Sequence, residues 1–554
     1  MKLSKYFPLF FALLFLAVLA GCEKDDEQFF ERTRLFRPVL NEPLMAEGNS
    51  IIVNLGNIRE ATSYTLEVSR DTFQTIDYTL ESDTSYVILD ETTLGEELFW
   101  NTIYQVRATA HADDPTYDSR EADLGSVRTQ RFPSILNIPA GSDVIDVAAR
   151  VTWVKAGAPV TMVRLFSDTD LQLKNPIEEY EVSSEEEAAG EKIITGLTPL
   201  TGYQIAIYSG AGGTTLRGWE NYTTLEAGVD PAAAGVIDLT ASEDPDAVIN
   251  AVATAADGDI ILLQKGVLYN LPSESLDKSI TIRGAYGFGA QQAILFTTGN
   301  WNIAEGANID HIRFIDLEVR GEDPGGDYVF NPNRDAITTV RELTFDNCFI
   351  NSFRGIIRVR GGVMVDNYNI INSIVHNIGG YGIFTADTDG DDRASIGNLL
   401  LQNSTFSKIN TFIQSRQNSN SIIIEDCTLN EFTTRGGRVF RYRGGDGKSD
   451  VLNGITITNT IWGHGWDEGE AGTYEVRFIA EGLANTTFNL SNNFGTSQFS
   501  FSEGYELSGF PGIIYNGTAD DLWVDPYDGL DFHFQDSGFS GRLTAGDPRW
   551  RPDL

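Results

Sequence analysis

The sequence predicts an all-β chain in two architectures, two β-sandwiches followed by a parallel coil of strands. Three observations carry this. Glycine is abundant, at 54 residues, while helix-like apolar periodicity is scarce. Between residues 32 and 226, short runs alternate apolar and polar positions between turn signals, as sandwich strands do. Beyond residue 236 a different unit repeats: an alternating strand, an Asn or Asp, a small residue and another apolar position.

The N-terminus is set apart from the fold. Met1–Lys5 carries two lysines, residues 8–20 are almost unbroken apolar, and residues 19–22 read Leu-Ala-Gly-Cys. This is the pattern of a bacterial secretory signal. Its end resembles a lipobox, in which Cys22 becomes the lipidated first residue; an ordinary signal peptide is the alternative. The acidic run after Cys22 resembles the export tag of Bacteroidetes outer-leaflet lipoproteins. Residues 1–21 are therefore assigned as signal peptide and 22–31 as an acidic tether. The expected location is the outer membrane, lipid-anchored and facing the exterior.

Composition excludes some function classes. The formal net charge of −39 opposes nucleic acid, which needs a basic footprint. Five scattered histidines show no zinc-ligand spacing. Cys348 and Cys427 lie inside apolar strand patterns and read as core residues.

Residues 32–131 contain strands such as 61–71 and 102–110. The spacing of Tyr64, Trp100 and Tyr104 resembles a fibronectin type III domain. A second copy is assigned to 135–226, where Gly-Leu-Thr-Pro-Leu-Thr-Gly-Tyr at 196–203 resembles the corner before the sixth strand of that fold. Such domains serve mostly as spacers. Residues 227–235 form a linker by composition.

From residue 244 the chain reads as a short amphipathic helix, with a stripe of Ala247, Val248, Val252 and Ala255, and then a strand. This resembles the start of a right-handed parallel β-helix of the pectate-lyase type, in which a helix covers the open end. The repeat assigns 236–520 to that β-helix. Its anchors, Asn347, Asn372, Asn403, Asp426 and Asn459, suit one coil per repeat and predict a ladder of stacked amides inside the turn. Residues 521–554 read as a closing cap, with Trp523, Phe532, Phe534 and Trp550 packing over the final coil.

Each repeat has a second strand, and here arginines recur. Residues two apart share a face of a strand, so Arg358 pairs with Arg360, Gln414 with Arg416, and Arg441 with Arg443; Arg477 appears once. In register, these residues stack as a two-column basic ladder, interrupted at Phe384 or Thr385. Carboxylates on a neighbouring strand are one way to neutralise it. The other is an external acidic polymer, since the planar guanidinium fork pairs bidentately with carboxylate or sulfate.

Two further sites are candidates. Asp387, Asp389, Asp391 and Asp392 around Gly390 place oxygens at calcium-loop spacing, with a solvated acidic turn as the alternative. No other cofactor is expected. Trp462 and Trp466 flank a glycine-rich turn and read equally as a sugar-stacking platform or as core.

The stretches 412–420 and 440–445 are loosely similar to the active coils of alginate and dermatan lyases. That resemblance implies Arg416 at the position of a base and Arg441 or Arg443 at that of the acid. Arginine is a poor base, and the calcium-holding acids expected upstream are missing from 407–414. Together, the modules and the C-terminal Ala-Gly-Asp-Pro-Arg-Trp resemble Bacteroidetes lipoproteins of polysaccharide utilisation systems. This implies a TonB-dependent transporter and its lipoprotein lid as partners. The leading expectation is a surface lipoprotein that binds an acidic, uronic-acid or sulfated, polysaccharide. The alternatives are a β-helix lyase and a non-catalytic partner of the transporter.

Overall fold

The computed structural model describes residues 33–445, 447–470 and 472–552, so the expected signal peptide, the acidic tether and Cys22 lie outside the described residues. The chain is nearly all β and divides into two compact units, one containing the sandwich sheets and one containing the β-solenoid.

In the first unit, a three-stranded sheet (Met45–Glu47, Ser50–Asn54, Tyr86–Leu89) faces a four-stranded one (Tyr78–Ser82, Ser63–Ser69, Ile103–His111, Ala122–Arg128). Alternation sorts the side chains. Leu66, Val68, Tyr104 and Val106 are fully buried, while Thr65, Glu67, Gln105 and Arg107 between and beside them are partly exposed. The buried Tyr104 hydroxyl accepts the Phe99 N–H at 2.9 Å, so its polar end is satisfied. The second fibronectin-like module contributes a four-stranded sheet of Glu178–Glu181, Val160–Ser167, Gly202–Ser209 and Thr215–Thr223.

The second unit is a solenoid of about 8 turns. Its strands run from Val236–Leu239 to Gly512–Ile514 and pair in parallel from coil to coil. The helix Ala247–Thr254 buries Ala247, Val248, Ala251 and Val252 against the first coils, covering apolar surface and strand edges. The interior is a continuous apolar column with stacked aromatics, among them Phe314 on Phe345 at 4.9 Å. Cys348 and Cys427 are buried in it as free thiols.

The anchors sit elsewhere than expected. Asn347, Asn372, Asn403, Asp426 and Asn459 all have positive φ, between 50° and 56°. Asn and Asp tolerate that left-handed conformation best among residues with a Cβ. Their side chains form a ladder on the outside of the corner, with Asn347 Nδ2 donating to Asp316 at 2.7 Å and Asn403 to Asn372 at 3.2 Å. The ladder inside the turn belongs to the next residue: Cys348 N–H donates to Ser373 Oγ and Ser373 N–H to Ser404 Oγ, both at 3.0 Å.

The C-terminal segment also departs from expectation. The last coil is closed by Phe499, Phe501, Leu507 and Phe510. Trp523, Phe532 and Trp550 instead lie along the side of the coil, packed on Ile374, Ile461 and Phe494. Those residues and Thr405 and Thr428 occupy one register row through five coils. Polar contacts pin the strap: Thr405 Oγ1 donates to Asp547 at 2.8 Å, and Trp550 Nε1 donates to Thr405 at 2.7 Å. An apolar row on the coil's flank thus takes the aromatic segment that was expected at its end.

Candidate functional site

The arginines lie in or beside the strands Phe349–Ile371, Ile413–Ser415 and Arg438–Tyr442. Arg358 pairs in register with Thr385, Thr385 with Gln414, Gln414 with Arg441, and Arg441 with Glu481. A second row runs through Arg360, Asp387, Arg416 and Arg443, held by Asp387 N–H to Val359 O, Arg416 N–H to Ala386 O and Arg443 N–H to Ser415 O at 2.8–3.0 Å. Between the rows, Val359, Ala386, Ser415 and Tyr442 point into the core. The two columns form as the alternation predicts, with Thr385 interrupting the first. Phe384 is a core residue.

Asp387 organises the second row. Its carboxylate accepts from Arg358 Nη2 at 2.6 Å and Arg416 Nε at 3.1 Å, and it lies 3.4 Å from Arg443 Nη2. Burial pushes its pKa up, but the hydrogen bonds from Arg358 and Arg416 outweigh this and hold it below the usual carboxylate range. The rest of the acidic loop is likewise turned to cations. Asp389 accepts from Arg416 Nη1 at 2.9 Å, and Asp391 pairs with Lys448. Asp392 takes a left-handed backbone conformation at φ 49°. Among the described residues, no group of three or more His, Cys, Asp or Glu is placed to hold a metal ion.

Other expected members differ. Gln414 is 7 % exposed and donates to Gly380 O at 3.1 Å, so its amide is spent on the backbone. Arg477 pairs in register with Arg438 and stacks 4.7 Å from the Tyr505 ring centroid, outside both columns. Trp462 and Trp466 form no platform. Trp462 is fully buried among Phe432, Phe478 and Phe510, and Trp466 is 8 % exposed with its N–H on Ile409 O. A planar ring must be exposed to stack on a sugar, and these are core.

The structure adds members that alternation misses. Tyr381 carries two guanidiniums, Arg358 at 4.2 Å and Arg354 at 4.7 Å from its centroid. Arg438 joins the face because two consecutive buried residues, Val439 and Phe440, separate it from Arg441, as Ile356 and Ile357 or Phe412 and Ile413 are both buried in other coils. A period of two cannot express that step.

The face carries more cations than anions. Arg441 is matched by Glu481 at 2.8 Å. Arg360 finds only the neutral Asn331, at 3.0 Å. Among the described residues, Arg354, Arg360, Arg438 and Arg477 have no carboxylate within ion-pair distance. Burial, and after it the neighbouring Arg358, lower the Arg360 pKa, and burial and then Arg441 lower those of Arg438 and Arg443. An anion brought to this face would relieve that repulsion.

A family model described as a domain of unknown function (DUF4957) matches residues 268–409, within the solenoid. No curated protein matches the chain. The FN1–FN3 domains of chicken CNTN1 align at 11 % identity and TM-score 0.16, covering 35 % of this chain and 68 % of theirs. The central fibronectin-III array of RIM-binding protein aligns at 13 % identity and TM-score 0.13, covering 36 % and 72 %.

Proposed function

We propose that this protein is a cell-surface lipoprotein, anchored through Cys22, whose β-solenoid binds an acidic polysaccharide for a polysaccharide utilisation system. The observation that carries the reading is a cation-rich outer face, centred on Arg358, Arg416, Arg441 and Arg443, in a chain of net charge −39. A polymer lying along the coil axis would meet a new rung about every 4.8 Å. Half-buried guanidiniums suit carboxylate or sulfate, because partial burial strengthens a charge-assisted hydrogen bond.

The lyase alternative gains no specific support. Arg416, at the position of the base, donates to both Asp387 and Asp389. Burial opposes its charge, but these two bonds raise its pKa further, and a guanidinium so held keeps its proton.

The test uses soluble residues 23–554 in native gels containing alginate, pectin, chondroitin sulfate or neutral glycans, with ultraviolet absorbance followed in the same mixtures. Retardation by an acidic polymer, weakened by salt and without an absorbance rise, is expected. An absorbance rise would establish elimination chemistry instead. No retardation by any acidic polymer would remove the binding reading.

A further inference from the structure

The acidic loop and the arginine rows meet in a graded way. Asp387 belongs to the coil: its N–H joins the inter-coil ladder, its side chain is 14 % exposed, and it touches three arginines. Asp389 and Asp391 belong to the loop that follows, and their side chains are 49 % and 93 % exposed. The loop is fastened over the rows by neutral bonds. Gly361 N–H donates to Thr388 Oγ1 at 3.0 Å, and Gln417 Nε2 donates to Thr388 O at 3.0 Å and Gly390 O at 2.7 Å. Asp387 thus stands within the row, while Asp389 lies against Arg416 and Asp391 against Lys448, two tethered carboxylates on cations of the face.

We propose that this loop divides two roles within the binding face: Asp387 is a positioning residue that sets the aim of Arg358, Arg416 and Arg443, while Asp389 and Asp391 are built-in competitors that an acidic polymer displaces from Arg416 and Lys448. The inference rests on the binding reading above. Its physical basis is the difference in anchorage. A carboxylate fixed by the coil ladder and shared by guanidiniums of three coils, Arg358, Arg416 and Arg443, orients them together. A solvent-exposed carboxylate holds its cation weakly and yields to a multivalent ligand. The arrangement makes the face selective for polymers carrying several anions, because one anion gains little by displacing a tethered one.

The two roles have opposite signs, which makes them separable. Asp387→Asn raises the positive charge of the face, so charge alone predicts tighter binding; loss of aim predicts weaker binding. Alginate affinity would be measured by gel retardation across a salt series for the wild type, Asp387→Asn, Asp387→Glu and the Asp389→Asn/Asp391→Asn pair. Asp387→Asn is expected to weaken binding about tenfold, Asp387→Glu to recover part of it, and the exposed pair to tighten binding about 2- to 5-fold. Circular dichroism and melting would confirm that each variant folds. Equal or tighter binding by a folded Asp387→Asn overturns the positioning role. Should that variant fail to fold, the exposed pair decides, and unchanged or weaker binding there overturns the competitor role. A wild type retarded by none of alginate, pectin and chondroitin sulfate removes the binding reading itself, and this inference with it.

Discussion

Two faces on the outside of the same solenoid meet different fates. The row Ile374, Thr405, Thr428, Ile461, Phe494 is neutral, and the chain covers it with its own Trp523, Phe532 and Trp550. The arginine rows are charged, and the chain leaves them partly open, with side-chain exposures of 18–31 % at Arg358, Arg416, Arg441 and Arg443. Both faces use one device, register stacking of equivalent positions in successive coils. Apolar and hydroxyl side chains can be buried by a strap at little cost. Desolvating a row of guanidiniums costs several kcal/mol per ion, on the order of the stability of a whole domain.

The largest effect that would sharpen this contrast is Trp523→Ala in the strap. Trp523 is fully buried, so the solenoid should lose about 3–5 kcal/mol, read as a lower denaturation midpoint. A much smaller loss would mean that the strap is an accessory. Next, Thr405→Val removes the hydroxyl that bonds both Asp547 and Trp550; it should cost about 1–3 kcal/mol in the same experiment. On the other face, Arg358→Ala should weaken alginate retardation about tenfold, roughly 1.4 kcal/mol, and intact binding would take that rung out of the site. The smallest expected change is at the corner ladder: Asn403→Ala, at φ 50°, should cost about 1 kcal/mol, while Asn403→Gly should cost less.

Acid should separate the two faces by sign. Asp387 has a folded pKa below its unfolded value, so its contribution is fully present above the unfolded pKa and is lost as pH falls through the folded one. Asp547 is the reverse. Burial raises its pKa despite Arg549 and Thr405, so the folded state binds the proton more tightly. Stability tied to Asp547 therefore rises as pH falls from neutral through its folded pKa, until the unfolded pKa is reached. Melting from pH 7 to 3 should show Asp547→Asn losing an acid-side gain and Asp387→Asn losing an acid-side decline. The same slope in both variants would erase the contrast.

Much of the architecture was legible in the residues. Alternation marked the strands, the Asn and Asp anchors marked the corners, and the helix stripe at Ala247 and Val252 marked the first coil. The arginine columns were legible too, because period-two alternation and coil stacking together place Arg358, Arg416, Arg441 and Arg443. What failed did so for identifiable reasons. Asp387 read as part of a loop, because nothing local reveals that its backbone continues the inter-coil ladder. Arg438 was missed because two consecutive buried residues, Val439 and Phe440, break the period of two. Trp462 and Trp466 could be read either way, since a tryptophan beside a glycine turn looks the same in sequence whether it faces solvent or Phe510.

By itself, then, the sequence determined the kind of element, the spacing of the coils and the chemistry available to each row, since these follow from side-chain periodicity and local backbone preference. Tertiary structure alone decided which row the C-terminal segment covers and which carboxylate stands among the arginines. It also decided whether each aromatic ring is core or surface. Those outcomes depend on contacts between residues far apart in the chain, such as Thr405 with Asp547 and Asp387 with Arg443, and no local pattern encodes them.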